Sequence, residues 1–168
     1  MKLTTILLFA ISALAVLANA EPLAPGAQAP VLTAVNQDSE SVNFADVYAR
    51  GTTLVYFYPK AGTAGCTAQA CSLRDSFAAL GEEGLQILGV SEDSPDAQKK
   101  FQQENYLPFP LIADSDGKVA AAFGVPITEG RAKRQSFLIK DGKVVWTSLQ
   151  AKTAEHAQEV KAALASIK

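Results

Sequence analysis

The chain has 168 residues with a formal net charge of −2, and nearly half of its residues (48%) are hydrophobic. A chain of this size can bury a core of its own, so its two cysteines are not needed to hold a small fold together. It is mildly acidic and has no cluster of lysine and arginine, which argues against nucleic acid or an anionic membrane surface as a partner.

The first twenty residues predict a secretory signal peptide. Lys2 supplies a positive charge, residues 3–17 are mostly apolar, and Ala18-Asn19-Ala20 has the small-x-small pattern that precedes cleavage. The alternative is an uncleaved membrane anchor, but the apolar stretch is shorter than the roughly 20 residues that a spanning helix requires. We therefore expect residues 1–20 to be removed. Residues 21–168 would then form one exported domain, in the periplasm or secreted, without a membrane anchor.

Strand and helix patterns alternate after the leader. Apolar and β-branched runs predict strands, and apolar positions at helical spacing predict helices. The predicted strands are residues 31–35, 41–44, 54–58, 85–90, 109–112, 137–139 and 144–146, and the predicted helices are residues 66–80, 94–105, 119–123 and 153–167. This order predicts an α/β protein of thioredoxin-like fold, with a mixed central β-sheet flanked by helices.

Short local signals predict where the elements begin and end. We expect Gly81 to end the helix 66–80, and Ser94 and Thr153 to cap the helices that follow them. Asp141-Gly142 predicts a tight hairpin turn between the last two strands.

Cys66 lies in the most informative segment of the chain. The apolar strand 54–58 ends at Pro59, a short loop with two glycines follows, and Cys66 opens the next predicted helix. A helix N-terminus presents unpaired N–H groups and the positive end of the helix dipole, and both favour an anion. The pattern therefore predicts a thiol that forms the reactive thiolate readily.

Cys71 lies five residues further along the same predicted helix. Over five residues an ideal helix separates two Cα atoms by roughly 8.6 Å. A disulfide needs a separation of roughly 4.4 to 6.8 Å, so the two sulfurs can bond only if the helix unwinds. The spacing alone leaves two interpretations open for Cys71. It is either a small buried side chain or a second thiol that attacks an oxidised Cys66 after local unfolding.

The segment around Cys66 resembles the peroxiredoxins. Their signature of Pro, three residues, Thr or Ser, two residues and Cys matches Pro59, Thr63 and Cys66. The longer string resembles the bacterioferritin comigratory protein (peroxiredoxin Q) branch in the segments Tyr58-Pro59-Lys60, Gly65-Cys66-Thr67, Gln69-Ala70-Cys71 and Leu73-Arg74-Asp75. The chain departs from that branch at Ala64, where a proline is common.

The resemblance implies a thiol-dependent peroxidase that reduces hydrogen peroxide and organic hydroperoxides without a bound cofactor. Cys66 would attack the peroxide and become sulfenic acid, and Cys71 would resolve it as an intramolecular disulfide. Arg134 and Thr63 would hold the peroxide oxygens, with Arg134 also stabilising the thiolate, while Pro59 shields it. A thioredoxin-like dithiol protein would then reduce the disulfide of a monomeric enzyme.

Two of these residues have plainer interpretations. Arg134 lies between Lys133 and a probable strand, and with Arg131 the three could form a solvated basic cluster. Thr63 could serve only to cap the helix. The resemblance favours the functional role in both cases, because Arg134-Gln135-Ser136-Phe137 matches the family's pattern.

Other polar residues have mainly structural interpretations. Gln69 stands where the family commonly has Glu or Gln to orient the arginine, whereas Arg74-Asp75 is expected to be a structural pair. His156 is expected on the surface of the last helix. Two cysteines and one histidine cannot supply a four-ligand zinc site unless carboxylates contribute, so we expect no metal.

The main alternative function is a thiol–disulfide oxidoreductase on the same fold. Such proteins usually carry Cys-x-x-Cys, whereas four residues separate these two thiols. They also usually have a proline where this chain reads Lys133-Arg134-Gln135-Ser136. A third alternative is an exported binding domain with an inert disulfide, which leaves Thr63 and Arg134 unexplained. Consumption of peroxide with a dithiol donor would separate the three.

Overall fold

A five-stranded mixed β-sheet forms the centre of the computed structural model, which describes residues 21–167. The strands are β1 (Thr33–Val35), β2 (Ser41–Asn43), β3 (Thr53–Phe57), β4 (Gln86–Ser91), β5 (Leu111–Ala113), β6 (Ile127–Thr128), β7 (Arg131–Ala132), β8 (Ser136–Lys140) and β9 (Lys143–Ser148). The helices are α1 (Phe44–Tyr48), α2 (Ala64–Asp75), α3 (Phe77–Glu82), α4 (Pro95–Glu104), α5 (Lys118–Phe123) and α6 (His156–Ser166).

The sheet has the strand order β5-β4-β3-β8-β9. β3 pairs in parallel with β4, and β4 in parallel with β5, while β8 runs antiparallel to both β3 and β9. The predicted strand 54–58 is thus the central strand, and the mixed sheet of the sequence prediction is confirmed. The small hairpins β1–β2 and β6–β7 lie outside this sheet.

Alternate residues of β3 face two separate cores. Leu54 and Tyr56 belong to a core built with α2, α3, α4 and α6, whereas Val55 and Phe57 belong to one built with α1 and α5. Every residue of β3 is fully buried. Helices therefore cover both faces of the sheet, and the first core includes Cys66.

Both ends of the predicted helix 66–80 are wrong. α2 starts at Ala64 and stops at Asp75, and Gly81 lies inside α3 instead of ending a single helix 66–80. The stop comes at Gly84, which has a φ of 77°, and the Leu85 N–H then donates to the Leu80 carbonyl at 3.1 Å. A residue with positive φ just past the last turn is the usual end of a helix, and Gly84 supplies it.

The last helix also begins later than predicted. Its first residue is His156 and its N-cap is Glu155, so the Thr153 side chain does not cap it. Other local predictions are confirmed. Ser94 Oγ accepts the Ala97 N–H at 3.3 Å and caps α4. Asp141 and Gly142 have φ values of 52° and 72°, as a type I′ hairpin turn requires.

The predicted signal peptide, residues 1–20, lies outside the described residues. The described part begins with a segment that packs on the fold, since the Leu23 N–H donates to the Phe123 carbonyl at 3.1 Å. Between residues 21 and 167, no helix is both long and apolar enough to cross a membrane.

Candidate active site

Cys66 lies in the first turn of α2, just after the central strand β3. Thr63 is the N-cap residue in extended conformation, and its carbonyl accepts the Thr67 N–H at 2.8 Å. Cys66 is the third residue of the helix, where backbone N–H groups have no partner within the helix. Its side chain is only 1% exposed. The predicted placement of the Cys66 thiol at a helix N-terminus is confirmed, and the helix begins two residues earlier than expected.

Arg134 contacts the sulfur of Cys66, with Nη2 donating to Sγ at 3.3 Å. The antiparallel pairing of β3 and β8 sets Tyr56 opposite Ser136. The Phe57 N–H donates to the Gln135 carbonyl at 2.7 Å, so the pairing continues one residue before β8 and brings Arg134 to the end of β3, where the loop toward Cys66 begins. The sheet pairing therefore positions a residue 68 positions away in sequence.

The guanidinium lies close over the first turn of α2. A Cβ atom on Gly65 would lie 3.4 Å from Arg134 Nη2, an ordinary contact distance. Arg131 and Lys133 are exposed, while Arg134 is half-buried. Arg134 thus points to the thiol, apart from its basic neighbours, and donates a hydrogen bond to the sulfur.

Gln69, one turn after Cys66, binds the other end of the same guanidinium. Arg134 Nη1 donates to Gln69 Oε1. Gln69 is fully buried, and its Nε2 lies 3.1 Å from His156 Nδ1. The opposite ring nitrogen, His156 Nε2, lies 3.0 Å from Ser136 Oγ. A continuous polar chain therefore runs from β8 through α6 and α2 to the thiol.

The prediction that His156 is a surface residue is wrong. The side chain is fully buried, and it lies against the ring of Tyr56 with centroids 5.9 Å apart. Burial, and secondarily the positive charge of Arg134, lower the pKa of His156 to about 4. One signal in the sequence could have indicated this position. His156, Val160 and Leu164 recur at four-residue spacing, which marks the buried stripe of a helix.

Tyr56 forms an apolar wall beside this chain. Its ring stacks on Tyr58 with centroids 5.5 Å apart. Its hydroxyl has no hydrogen-bond partner within the described residues. Burial, followed by the neighbouring Tyr58 and Cys66, raises the pKa of Tyr56 well above its usual value. The phenol is therefore neutral and adds no charge near the sulfur.

Thr63 and Pro59 flank the loop that leads to Cys66. The Thr63 hydroxyl is exposed and donates to the Lys60 carbonyl at 3.0 Å, so it neither caps α2 nor bonds to Cys66 in this state. Pro59 is half-buried and lies two residues after the end of β3. A residue that sequence reasoning missed holds this loop: Asp93 Oδ2 accepts the Ala61 N–H at 2.7 Å.

Cys71 lies further along α2, partly exposed and not bonded to Cys66. Its Sγ contacts Asn105 Oδ1 at 3.9 Å, at the end of α4. Arg74 Nη1 also binds Asn105, through its carbonyl at 2.9 Å, and Arg74 forms the predicted pair with Asp75. Because both thiols lie on one unbroken helix, the interpretation of an inert disulfide in an intact α2 is untenable.

Comparison with known proteins identifies related sequences. The AhpC/TSA family matches residues 25–147. Peroxiredoxin Bcp of Escherichia coli K12 is 41% identical over 143 residues, which cover 80% of this chain and 91% of that protein. A putative peroxiredoxin of Coxiella burnetii is 34% identical over 145 residues, covering 80% of this chain and 94% of its own.

Solved structures share the fold of this chain. Peroxidoxin BcpB of Mycobacterium tuberculosis superposes with a TM-score of 0.80 at 31% identity, covering 86% of this chain and 97% of that one. The bacterioferritin comigratory protein of Xanthomonas campestris gives a TM-score of 0.75 at 29% identity, covering 81% and 91%. The fold is therefore the thioredoxin-like fold of peroxiredoxins. The chain belongs to the AhpC/TSA family and is a thiol-dependent peroxidase of the Bcp type, with the two cysteines of an atypical two-cysteine peroxiredoxin.

Proposed function

We propose that Cys66 is the thiol that attacks the peroxide and that Arg134 is its electrostatic partner. The observation that carries this assignment is the 3.3 Å contact between Arg134 Nη2 and Cys66 Sγ in the first turn of α2. The guanidinium and the unpaired N–H groups of the helix end both favour the thiolate, the nucleophilic form. Cys71 has neither a helix end nor a contact from Arg134.

The first step forms one bond and breaks one. The Cys66 thiolate attacks the terminal oxygen of the hydroperoxide, the S–O bond forms and the O–O bond breaks. The departing oxygen takes a proton and leaves as water or alcohol, and Cys66 becomes sulfenic acid. We assign Arg134 the task of stabilising the negative charge on the leaving oxygen, since guanidinium N–H groups point to the reacting sulfur.

Thr63 and Pro59 shape the approach to the sulfur. The exposed Thr63 hydroxyl would exchange the Lys60 carbonyl for a peroxide oxygen when substrate binds. Pro59 closes the strand end beside the buried thiol and presents no N–H group of its own. Asp93 keeps the loop between them in place through the Ala61 N–H.

The second step is resolution by Cys71. The Cys71 thiolate attacks the Cys66 sulfur, an S–S bond forms, and hydroxide leaves and becomes water. A thioredoxin-like dithiol protein returns two electrons by exchange with this disulfide. The partial exposure of Cys71 gives such a reductant a place to attack. The enzyme works as a monomer in this scheme, because both thiols belong to one helix.

The proposed substrates are hydrogen peroxide and organic hydroperoxides. The structure of the Xanthomonas campestris relative is described as reporting its alkyl peroxide reduction activity. This similarity supports an organic hydroperoxide as substrate here. The burial of Cys66 also suits hydrogen peroxide, which is a small substrate.

A turnover assay with a thioredoxin-type donor tests the proposal. The wild-type protein should consume hydrogen peroxide and an alkyl hydroperoxide, and Cys66→Ser should consume neither, because an unactivated hydroxyl is a far weaker nucleophile. Thr67→Ser, a neighbouring change that keeps the hydroxyl, serves as the control and should retain turnover. Appreciable turnover by Cys66→Ser would refute the assignment. Reduction of a test disulfide without consumption of peroxide would favour the oxidoreductase alternative.

Export completes the proposal. Residues 1–20 have the charge, apolar run and small-residue site of a signal peptide, and the family match starts at residue 25. Expression of the full chain in a bacterial host, with mass spectrometry of the periplasmic and cytoplasmic fractions, tests this directly. The expected product is a periplasmic protein that begins at Glu21. An uncleaved chain that stays in the cytoplasm would contradict it.

A further inference from the structure

We propose that His156 is a positioning residue for the peroxidase step, holding the Gln69 amide so that its oxygen faces the guanidinium of Arg134. This inference rests on the proposed roles of Cys66 and Arg134 and adds a residue that acts on Arg134 through Gln69. The imidazole does not touch Cys66. It lies two hydrogen bonds from the guanidinium that does, through the Gln69 side chain.

The identity of Arg134 fixes which atom donates and which accepts in each of these hydrogen bonds. A guanidinium can only donate, so Gln69 must present its Oε1 to Arg134. The other end of the amide, Nε2, can only donate, so His156 Nδ1 must accept at 3.1 Å. His156 Nε2 then carries the proton and donates to Ser136 Oγ at 3.0 Å. One tautomer of the neutral ring satisfies every contact.

Either other state of the ring, the Nδ1–H tautomer or the imidazolium, would disrupt this series of hydrogen bonds. With a proton on Nδ1, the ring N–H would face the Gln69 NH₂ group, donor against donor. To avoid this contact between two donors, the Gln69 amide would have to flip, which would turn its NH₂ group toward the Arg134 guanidinium. Both outcomes would release the guanidinium from its fixed place beside Cys66 Sγ.

The surroundings of the ring keep it in the required state. Ser136 on β8, Gln69 on α2 and the ring of Tyr56 on β3 enclose it, and its side chain is fully buried. Arg134 is the charged group that acts on it. Burial and that charge both disfavour the imidazolium, so the neutral ring is the state present at neutral pH.

Two substitutions separate positioning from packing. His156→Phe keeps a ring but removes both nitrogens, whereas His156→Asn keeps an acceptor near the place of Nδ1. The second-order rate constant of Cys66 oxidation by hydrogen peroxide should fall on the order of tenfold in His156→Phe, as expected for losing one hydrogen bond that orients a charged group. His156→Asn should recover most of that rate.

Val160→Ala is the matched control for lost packing. Val160 is fully buried on the same helix, but its side chain is apolar and takes no part in the hydrogen bonds that link Ser136, His156, Gln69 and Arg134. It should lower thermal stability without slowing Cys66 oxidation. Wild-type rates in a folded His156→Phe would overturn the proposal, and so would an equal loss of rate in Val160→Ala. If Arg134→Ala does not slow oxidation either, the proposed role of Arg134 has failed. If it slows oxidation and His156→Phe does not, only the inference about His156 has failed.

The wild-type protein offers a second test that needs no variant. His156 is the one histidine of the chain, so a long-range ¹⁵N–¹H correlation spectrum of the tag-free protein reports it alone. The expected spectrum at pH 7 is that of a neutral ring with its proton on Nε2. An Nδ1–H tautomer or an imidazolium at that pH would overturn the proposal.

Discussion

The reactivity proposed for Cys66 involves one guanidinium in addition to the N–H groups of the helix end. Arg134 is the one cationic side chain that contacts the sulfur in the described part of the chain, and Gln69 holds its far end. Charge-assisted hydrogen bonds of this kind are roughly twice as strong as neutral ones. The two residues come from different elements, so the sheet pairing and the packing of α2 both contribute to one contact.

Removing that guanidinium should slow the first chemical step. We expect Arg134→Ala to lower the rate of Cys66 oxidation by about 10- to 100-fold, since a hydrogen bond to a charged group contributes about 1.5–3 kcal/mol. Stopped-flow fluorescence with hydrogen peroxide measures this rate. Lys133→Ala is the matched control, because Lys133 is an exposed neighbour, and it should behave as wild type. An equal rate of Cys66 oxidation in Arg134→Ala and Lys133→Ala would contradict this role and favour the interpretation of Arg134 as part of a solvated basic cluster.

The buried histidine should leave a signature in the pH dependence of stability. The pKa of His156 is about 4 in the folded protein and about 6.5 in the unfolded chain, so the unfolded state binds the extra proton between these values. Stability is therefore lost as the pH falls from about 6.5 to about 4, by roughly 3 kcal/mol. Urea unfolding of wild type and His156→Asn at pH 7 and pH 4 measures it. The advantage of wild type should shrink by that amount, and parallel profiles would contradict the assignment.

Sequence reasoning found some of these residues and missed others for a physical reason. Cys66 and Arg134 were predicted because a short motif carries them. His156 was predicted on the surface because it stands among Ala, Glu and Gln in the last helix. Its burial results from Ser136 and Gln69, which are 20 and 87 residues away in sequence. A polar side chain can be buried where the fold supplies hydrogen-bond partners for it. A single sequence does not show which distant residues will supply those partners.

α2 has two roles that conflict. Intact, it keeps Cys66 in its first turn, beside Arg134. To form the disulfide, the same helix must bring two Cα atoms from roughly 8.6 Å to within roughly 6.8 Å. The first turns of α2 must therefore unwind between the two chemical steps. The contact of Cys71 with Asn105 would be lost in that movement.

Hydrogen exchange should report this unwinding. In the reduced protein, the amides of residues 67–71 should be protected by the helix, and after one equivalent of hydrogen peroxide they should exchange faster. Cys71→Ser provides the control, because it can be oxidised at Cys66 but cannot form the disulfide. Unchanged exchange in oxidised wild type, or equal acceleration in Cys71→Ser, would show that disulfide formation does not unwind α2.

Helix and strand identities were easier to predict than their ends. The run 54–58 is apolar and β-branched throughout, and it became β3, the fully buried central strand. The apolar spacing of residues 66–80 does not reveal the interruption at Ser76. The sequence also offers two glycines as stop signals, Gly81 and Gly84, and only Gly84 takes the positive φ that ends α3. The two-residue strands β6 and β7 carry too few residues for any periodic signal.

At the scale of the whole molecule, the fold brings three distant parts of the chain together at one end of β3. The parallel neighbour β4 is followed by Asp93, which holds the loop before Cys66, and the antiparallel neighbour β8 is preceded by Arg134. The order of predicted elements was sufficient to predict this mixed sheet and its flanking helices. The antiparallel return of β8 is what places the arginine, and the family motif indicated that arginine before the pairing was known.

In the proposed mechanism, Cys66 alone takes the oxygen from the peroxide, and Cys71 then resolves the Cys66 sulfenic acid. Intact mass and peptide mapping after one equivalent of hydrogen peroxide, without reductant, test both parts in one measurement. Wild type should lose two hydrogens and contain a Cys66–Cys71 disulfide, whereas Cys71→Ser should gain one oxygen on Cys66 and take up further oxygen with more peroxide. Oxygen first appearing on Cys71, or a Cys71→Ser protein that turns over with a dithiol donor as fast as wild type, would contradict the account.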